Sequence, residues 1–416
     1  MKLNEDEQAM RAGELGEAAR WGIEGQVRFG AFFDAPDFVP VRQSHLMGDT
    51  EAIGPAAFAT LARLADLPPA ERRMRALAVT ENIGVDTEAM SRLGHHVEAF
   101  DRHGRALDAL DRLGVVVGHA YVNFHSVVPP GFGELTAFGS TPTAIYVNSV
   151  LGARTNFEGG PAALAAAFTG RVPRYGFHLD ENRRGTDLFV VDDMPRDLTD
   201  WGMLGAEIGS RLADYAKVPV IDGLTGRPDA AALTTLGACL ATYGSHGMFH
   251  VVGVTPEARD AAEAFHGQPV PAAAHVGRAA LDARYAAYDD GEDGADVVVL
   301  GAPMLHSVEL AAVADMIAGR RVHGETALLV FTAPEVLRQA RATGVAGAIE
   351  DAGGMILTGL EFFQIYPREL GATRGWRRLV TNSPKLAQII PGYGYVPRVL
   401  PFDGCVEAAV AGRVAR

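Results

Sequence analysis

The sequence has few cysteines. Only two, Cys239 and Cys405, occur among its 416 residues. Two cysteines cannot build a disulfide framework, and they cannot by themselves supply the ligands of an iron–sulfur cluster. Cysteine scarcity is typical of reducing compartments. The N-terminal stretch is acidic and lacks the apolar core of a signal peptide, so we expect a cytoplasmic protein.

Long hydrophobic runs and basic stripes are also missing. No run approaches eighteen consecutive apolar residues, which excludes an ordinary membrane-spanning helix. Lysine and arginine total 37 against 51 aspartate and glutamate, a formal net charge of −14. Binding to a nucleic-acid backbone needs clustered cations, so nucleic acid is not an expected partner. A small molecule is therefore the expected ligand.

Apolar strand patterns alternate with helical patterns along the chain. Examples are "RALAVT" (75–80), "TAIYVNSV" (143–150) and "ADVVVLGAP" (295–303), which we interpret as strands, and "PAALAAAFTG" (161–170), a helix that starts at Pro and ends at Gly. The alternation predicts an α/β protein with largely parallel sheets around a central cleft. The length predicts several lobes, with approximate bounds 1–200, 201–290 and 291–416. We find no internal sequence repeat.

Polar clusters lie beside the ends of these apolar runs. In α/β proteins such ends converge on one cleft, so the clusters predict a binding site for a small hydroxylated anion. An arginine can hold a carboxylate or phosphate with two hydrogen bonds. An exposed salt bridge is the alternative for Arg183, and helix capping is the alternative for Asn, Ser and Thr. The predicted substrate-binding residues are His45, Thr80, Asn82, Asn148, Ser149, Arg154, Thr155, Asn156, Asn182, Arg183, His246 and Lys385.

One long segment carries a family resemblance. "NSVLGARTNFEGGPAALAAAFTGRVPRYGFHLDENR" (148–183) closely resembles the signature of the aconitase X catalytic region, and "HLMGD", "VTENIGVD" and "VTNSPK" support it. The resemblance implies an aconitase-like fold, dehydration of small hydroxy acids and an iron–sulfur cluster held by cysteines. It also implies a swivel domain, fused on in cis-3-hydroxyproline dehydratases and a separate small subunit in phosphomevalonate dehydratases. We expect no swivel domain in this chain, which leaves a separate swivel subunit and a homo-oligomer open.

The sequence departs from the family at the cluster ligands. The resemblance matches three family cysteine positions to Tyr121, Ala302 and Gly359. A phenol, a methyl group and a hydrogen atom cannot replace soft thiolate ligands. Cys405 matches another family cysteine, whereas Cys239 lies in a helix with a structural pattern. We therefore predict no iron–sulfur cluster and no other metal or cofactor.

Without iron, proton transfer has to come from side chains. An imidazole with a pKa near neutrality can donate or accept a proton at working pH. The candidates are His119 and His125, which flank the position of a missing cysteine, together with Glu134 and the Tyr121 hydroxyl. A buried, hydrogen-bonded imidazole is the alternative for each histidine. His246 and His250 lie four apart in a strand pattern, which does not favour a zinc site.

These observations predict a cluster-free lyase or isomerase that moves a proton next to the carboxylate of a small hydroxy- or amino-carboxylate. Dehydration, cyclisation and epimerisation all use that step. One alternative is an iron-dependent dehydratase large subunit that requires a separate swivel subunit and uses Cys405. The other is a non-catalytic relative that only binds a carboxylate.

Overall fold

A computed structural model describes residues 1–47, 50–83, 86–95, 97–118 and 129–415, without the side chains of 50–53, 82, 87 and 97–100. The predicted catalytic residues His119, Tyr121 and His125 lie outside the described residues, as does the side chain of Asn82.

The first lobe contains a parallel sheet, a separate antiparallel pair of strands and several helices. Its helices are α1 (Glu5–Ala12), α2 (Glu17–Phe32), α3 (Thr50–Ala65), α4 (Thr87–Arg92), α5 (Val97–Arg112), α6 (Thr141–Ser149) and α7 (Pro161–Thr169). Its strands are β1 (Phe38–Pro40), β2 (Gln43–Leu46), β3 (Leu77–Asn82), β4 (Val116–Gly118), β5 (Ala137–Phe138) and β6 (Arg171–Pro173).

The other two lobes have the same alternation. The second contains β7 (Asp187–Val191), α8 (Leu198–Leu212), β8 (Pro219–Asp222), α9 (Ala230–Gly244), β9 (His250–Val251), α10 (Ala261–Ala264), β10 (Ala274–Val276) and α11 (Arg278–Ala286). The third contains β11 (Val297–Leu305), α12 (Ser307–Ile317), β12 (Ala327–Thr332), α13 (Pro334–Thr343), α14 (Val345–Asp351), β13 (Met355–Thr358), α15 (Pro367–Arg374), β14 (Arg378–Thr381), α16 (Pro384–Ile389), β15 (Val396–Val399) and α17 (Phe402–Ala411).

Three parallel sheets share one strand order. Their orders are β4-β3-β2-β5, β9-β8-β7-β10 and β13-β12-β11-β14-β15, and every neighbouring pair in them is parallel. In each sheet the first strand along the chain is flanked by the second and the fourth. Successive strands are therefore added first on one side of β2, β7 or β11 and then on the other side. Such switch points in strand order are where α/β sheets open a crevice.

The predicted α/β class with parallel sheets is confirmed, but one element is wrong. "TAIYVNSV" lies mostly in helix α6 and not in a strand. Residues 142–149 are all buried, so the segment is apolar on every side and its hydrophobic pattern does not separate a helix from a strand. Strand β7 precedes residue 200, the predicted end of the first lobe, yet it pairs within the second sheet.

Helices pack closely both within a lobe and between lobes. Within the second lobe, α8 packs against α9 at Gly205, where a Cβ atom would lie 2.5 Å from the Leu236 carbonyl oxygen. Helix α4 of the first lobe packs its apolar face against Leu357 and Leu360, at the carboxyl end of β13. The carboxyl ends of the first and third sheets are thus in contact through α4.

Candidate active-site cleft

The side chain of Asn148 holds the start of the signature segment. Its Nδ2 donates to the carbonyl oxygens of Thr155 and Gly247, both at 2.8 Å. Its Oδ1 accepts the backbone N–H of Thr155 at 3.0 Å. Asn148 is 1% exposed, so these bonds replace water for a buried amide and tie the end of α6 to the second lobe.

Arg183 sits at the centre of the same network. It is fully buried, and its Nε donates to Oε2 of Glu257 at 3.0 Å, while Nη2 donates to Glu257 Oε1. Its Nη1 reaches Asn148 Oδ1 at 3.2 Å, and Nη2 reaches the Asn148 carbonyl at 2.9 Å. A buried guanidinium requires this full set of acceptors. The exposed salt bridge considered from sequence is therefore wrong, because the pair is internal.

Several other polar residues of the segment also bond to the protein. Asn156 donates to the Tyr175 carbonyl at 3.0 Å and contacts His178 Nδ1 at 3.1 Å. The hydroxyls of Thr155 and Ser149 accept the backbone N–H groups of Phe138 and Phe249. Arg154 donates to the His178 carbonyl at 3.3 Å and to Asp180, and Asn182 donates to the Gly176 carbonyl at 3.0 Å. A substrate-binding role for these residues stays a prediction.

Burial in this network determines the protonation state of His178. Desolvation, only partly offset by its backbone hydrogen bonds, lowers the pKa of the His178 imidazole to about 4. A ring with this pKa is neutral at physiological pH, where it accepts from Asn156. His246 is similar, because burial lowers its pKa and its Nδ1 bonds to the Lys217 carbonyl at 3.0 Å.

Two of the predicted residues lie near the carboxyl ends of strands in the first sheet. His45 in β2 is fully buried, with its ring 5.2 Å from that of Phe138. Thr80 in β3 accepts the Gly118 N–H at 2.8 Å. Glu134 lies before β5, and its carboxylate accepts from Gln43 Nε2 at 2.8 Å and from the Gly131 N–H at 2.9 Å. These two hydrogen bonds orient the carboxylate of Glu134, which is half-buried.

Glu158 is a residue that the sequence-based selection left out. It is 1% exposed, and its Oε1 has no hydrogen-bond partner in the described part of the chain. Its backbone N–H donates to the Phe138 carbonyl, which places it at the carboxyl end of β5. Desolvation raises the pKa of its carboxyl to about 7. Glu158 can therefore gain or lose a proton near neutral pH.

Lys385 forms a buried ion pair in the third lobe. Its Nζ donates to Glu361 Oε2 at 3.0 Å and lies 4.8 Å from the centre of the Phe363 ring. The two charged side chains are 5% and 0% exposed. Burial raises the pKa of Glu361, and the nearby Lys385 opposes that shift. The pair follows β13 and β14, which places Lys385 beside the third switch point.

A cavity opens at that switch point. It has a volume of about 220 Å³ and lies between the second and third lobes. Ala302 and Pro303 from the end of β11 line it, together with Asn382 and Ser383, which follow β14. The Ser383 hydroxyl donates to the Ala302 carbonyl and so joins the two strand ends. The lining also includes Leu198, Ala230, Ala231, Thr234, Thr235, Met304, His306 and Glu309.

The residues present do not fit a cysteine-ligated cluster. Cys239 is buried in α9, where its Sγ faces Gly202 of α8, and Cys405 is a residue of α17 that is buried in the apolar core. Burial raises the pKa of both thiols, to about 12 for Cys239. A ligand thiolate needs the opposite shift. Within the described ranges, no three His, Cys, Asp or Glu side chains are grouped as metal ligands.

Three family models together match most of the chain. Models of the aconitase X first, second and third domains match residues 1–181, 185–286 and 295–411. The chain belongs to the aconitase X family. The family models thus match the three lobes in chain order, and the family prediction from the signature segment is confirmed.

Individual members of the family share the full length of the chain. Cis-3-hydroxy-L-proline dehydratase of Pseudomonas aeruginosa is 34% identical and covers 99% of this chain, which spans 70% of that protein. The phosphomevalonate dehydratase large subunit of Thermococcus kodakarensis is 27% identical over 98% of this chain and 100% of its own. A crystal structure of Thermococcus kodakaraensis aconitase X in the holo-form matches with a TM-score of 0.83 and 27% identity, over 98% of this chain and 100% of that one.

Membership of a family of dehydratases makes this protein an enzyme of the lyase class, with a dehydratase-type reaction. In the part of the chain that the structure describes, no helix is long and apolar enough to cross a membrane.

Proposed function

We propose that the protein is a cluster-free aconitase X lyase, which acts on a small hydroxy- or amino-carboxylate by moving a proton next to the carboxylate. The observation that carries this proposal is the absence of cysteine at three positions where the family resemblance places cluster ligands. Ala302 lines the cavity at the end of β11, Gly359 directly follows β13, and both thiols of the chain are packed in apolar cores.

The loss of iron changes what the side chains must do. Iron would act as a Lewis acid on the leaving hydroxyl. A Brønsted acid has to protonate that hydroxyl instead, unless the reaction is a cyclisation or an epimerisation. His119, Tyr121, His125 and Glu134 are our candidates for proton transfer. Glu158 joins them, because its buried carboxyl has a pKa of about 7.

The metal content tests the first half of the proposal. We expect protein purified without oxygen to be colourless and to contain far less than one iron and one sulfide per chain. Reconstitution with iron and sulfide, followed by desalting, should leave no visible absorbance. Stoichiometric iron and sulfide with a cluster absorbance would contradict the proposal directly.

Isotope exchange tests the second half. Cis-3-hydroxy-L-proline and phosphomevalonate would be incubated with the metal-free protein in deuterated water. We expect deuterium at the carbon next to the carboxylate, or formation of the dehydrated product, with one of the two. Glu158→Gln should slow this exchange, whereas Glu181→Gln, an exposed glutamate, should not. No exchange and no product with either compound would reject the proposal for these substrates.

The second candidate is an iron-dependent dehydratase large subunit that needs a separate swivel subunit. It is favoured by relatives that are named large subunits. This candidate requires Cys405 as a ligand, although its thiol donates to the Leu400 carbonyl at 3.6 Å inside the core. Activity that appears only after addition of both iron and a small subunit would select it.

A further inference from the structure

The cavity between the second and third lobes contains polar groups that the fold leaves available. Most of its wall is apolar, formed by residues such as Leu198, Ala230 and Met304. The lining also has polar residues, and His306, Glu309 and Thr235 are among them. The network around Arg183 is different, because its polar groups bond to one another.

His306 and Glu309 form one corner of the cavity, at the start of α12. Glu309 Oε2 accepts the backbone N–H of His306 at 3.0 Å, which holds the carboxylate in place. The Nε2 atom of His306 lies 3.5 Å from the same Oε2. This separation is too long for a strong hydrogen bond. A hydroxyl oxygen placed about 2.8 Å from both atoms would accept a hydrogen bond from His306 Nε2–H and donate one to the Glu309 carboxylate.

Thr235 supplies a third polar group from α9. Thr235 is 8% exposed and lines the cavity, and its hydroxyl makes no hydrogen bond with any described residue. The hydroxyl of Thr234, by comparison, donates to the Ala230 carbonyl at 2.7 Å. A hydroxyl that has no protein partner can donate a hydrogen bond to a ligand or accept one from it.

The charges around the cavity decide which end of a hydroxy acid can enter. Asp197 and Asp229 cap α8 and α9 immediately beside the lining residues Leu198 and Ala230. Neither aspartate lines the cavity, because each carboxylate accepts a backbone N–H of its helix, and Glu309 is the acidic side chain in the wall. The carboxylate of Glu309 disfavours a substrate carboxylate at this corner. A neutral hydroxyl can both donate and accept, and it matches the corner.

We infer that this cavity receives the alcohol end of the substrate, with the hydroxyl between His306 and Glu309 and the carbon framework against the apolar wall. The inference deepens the proposed function and rests on it for the identity of the substrate. His306 donates through Nε2 to the hydroxyl oxygen, Glu309 accepts the hydroxyl proton, and the substrate carboxylate stays outside the cavity. The two residues therefore act as specificity determinants for a hydroxyl-bearing substrate.

Matched pairs of ligands test this inference by binding alone. One pair is cis-3-hydroxy-L-proline and L-proline, and the other is 3-hydroxybutyrate and butyrate. Within each pair the compounds differ only by the hydroxyl. Calorimetry or ligand-detected NMR at constant pH would give the ratio of the two affinities. We expect the hydroxyl to strengthen binding about tenfold or more in at least one pair.

The variants locate that preference. His306→Phe and Glu309→Gln should reduce the ratio of affinities to about one through loss of a donor and of a strong acceptor, with little change for the compound that lacks the hydroxyl. Thr235→Val should reduce it less. Thr242→Val is the matched control, because Thr242 is on the same helix and its hydroxyl donates to the Ala238 carbonyl. Circular dichroism would exclude unfolding.

The outcomes separate the two proposals. Equal affinities within both pairs, or a preference that survives His306→Phe, would overturn this inference even if the protein turns over a substrate. A preference lost in His306→Phe would support the site even if no deuterium exchange is found, and in that case the proposed reaction would fail and not the site.

Discussion

The network around Arg183 and the cavity around His306 use polar side chains in opposite ways. In the network, a guanidinium, two asparagines and several hydroxyls bond to protein groups. In the cavity, Nε2 of His306 lies 3.5 Å from Glu309 Oε2, and the hydroxyl of Thr235 makes no hydrogen bond within the described chain. The polar residues concentrated in the signature segment therefore hold two lobes together. Donors and acceptors without a protein partner are what indicate a ligand site.

The sharpest test of this comparison is Arg183→Met. The change removes the partner of Glu257 and the guanidinium that donates to the Asn148 and Phe177 carbonyl oxygens. We expect the free energy of unfolding to fall by about 3 to 5 kcal/mol, measured by urea denaturation. Arg184→Met, at the exposed neighbouring position, should change it little. An equally stable Arg183→Met protein would show that Arg183 is free to bind a ligand.

Glu158 breaks the pattern within the signature segment, because it is buried without a partner for Oε1. Burial raises the pKa of its carboxyl from 4.5 to about 7. The folded state therefore binds this proton more tightly, and stability declines as the pH rises from 4.5 to 7. Glu158→Gln removes the decline. We expect the variant to gain about 3 kcal/mol over the wild type at pH 8 but almost nothing at pH 4.

Denaturation curves at both pH values would measure that difference, with Glu181→Gln as the control. A stabilised Glu158→Gln protein with full activity would mean that the buried carboxyl has no part in proton transfer.

The lowered pKa of His178 predicts how acid destabilises the folded network. Burial lowers the pKa of its ring from 6.5 to about 4. The unfolded chain therefore takes up this proton first as the pH falls, so the contribution of His178 to stability is complete above pH 6.5 and is lost towards pH 4. We expect the wild type to lose up to about 3 kcal/mol more than His178→Gln over this range. His275→Gln, on an exposed ring, should behave like the wild type.

Cys405→Ala has the smallest expected effect and concerns the third lobe. The thiol is buried among apolar side chains, so its removal should cost about 1 kcal/mol of stability through a small cavity. Activity should not change. Loss of activity with retained folding would instead favour the iron-dependent candidate, in which Cys405 is a ligand.

Local patterns in the sequence predicted much of the fold. Helix α7 has Pro at its start and Gly at its end, and the strand patterns of β3 and β11 were also assigned correctly. Helix α6 was not, because it is buried on all sides. The common strand order of the three sheets was not visible either, because the order depends on pairing between distant segments and not on similar residues.

The candidate site was less predictable, for a related reason. Asn148 bonds to Gly247, and Arg183 bonds to Glu257. Such partners lie many residues away, so the sequence does not reveal which polar groups are already occupied. Glu158 lies inside the signature segment among other polar residues, and nothing in the sequence distinguishes it from them. Only the fold shows that it is buried. His306 and Glu309 have a local signal, a spacing of three residues at the start of a helix.

The contact at Gly205 has a consequence for ligand size. Helices α8 and α9 both begin at the cavity, with Leu198 and Ala230 in its wall, and the missing side chain of Gly205 sets how near their axes come. A larger residue there would push the two helix starts apart without altering any atom of the wall. A related protein could therefore accept a bulkier ligand through a substitution at Gly205, inside the helix pair and outside the cavity wall.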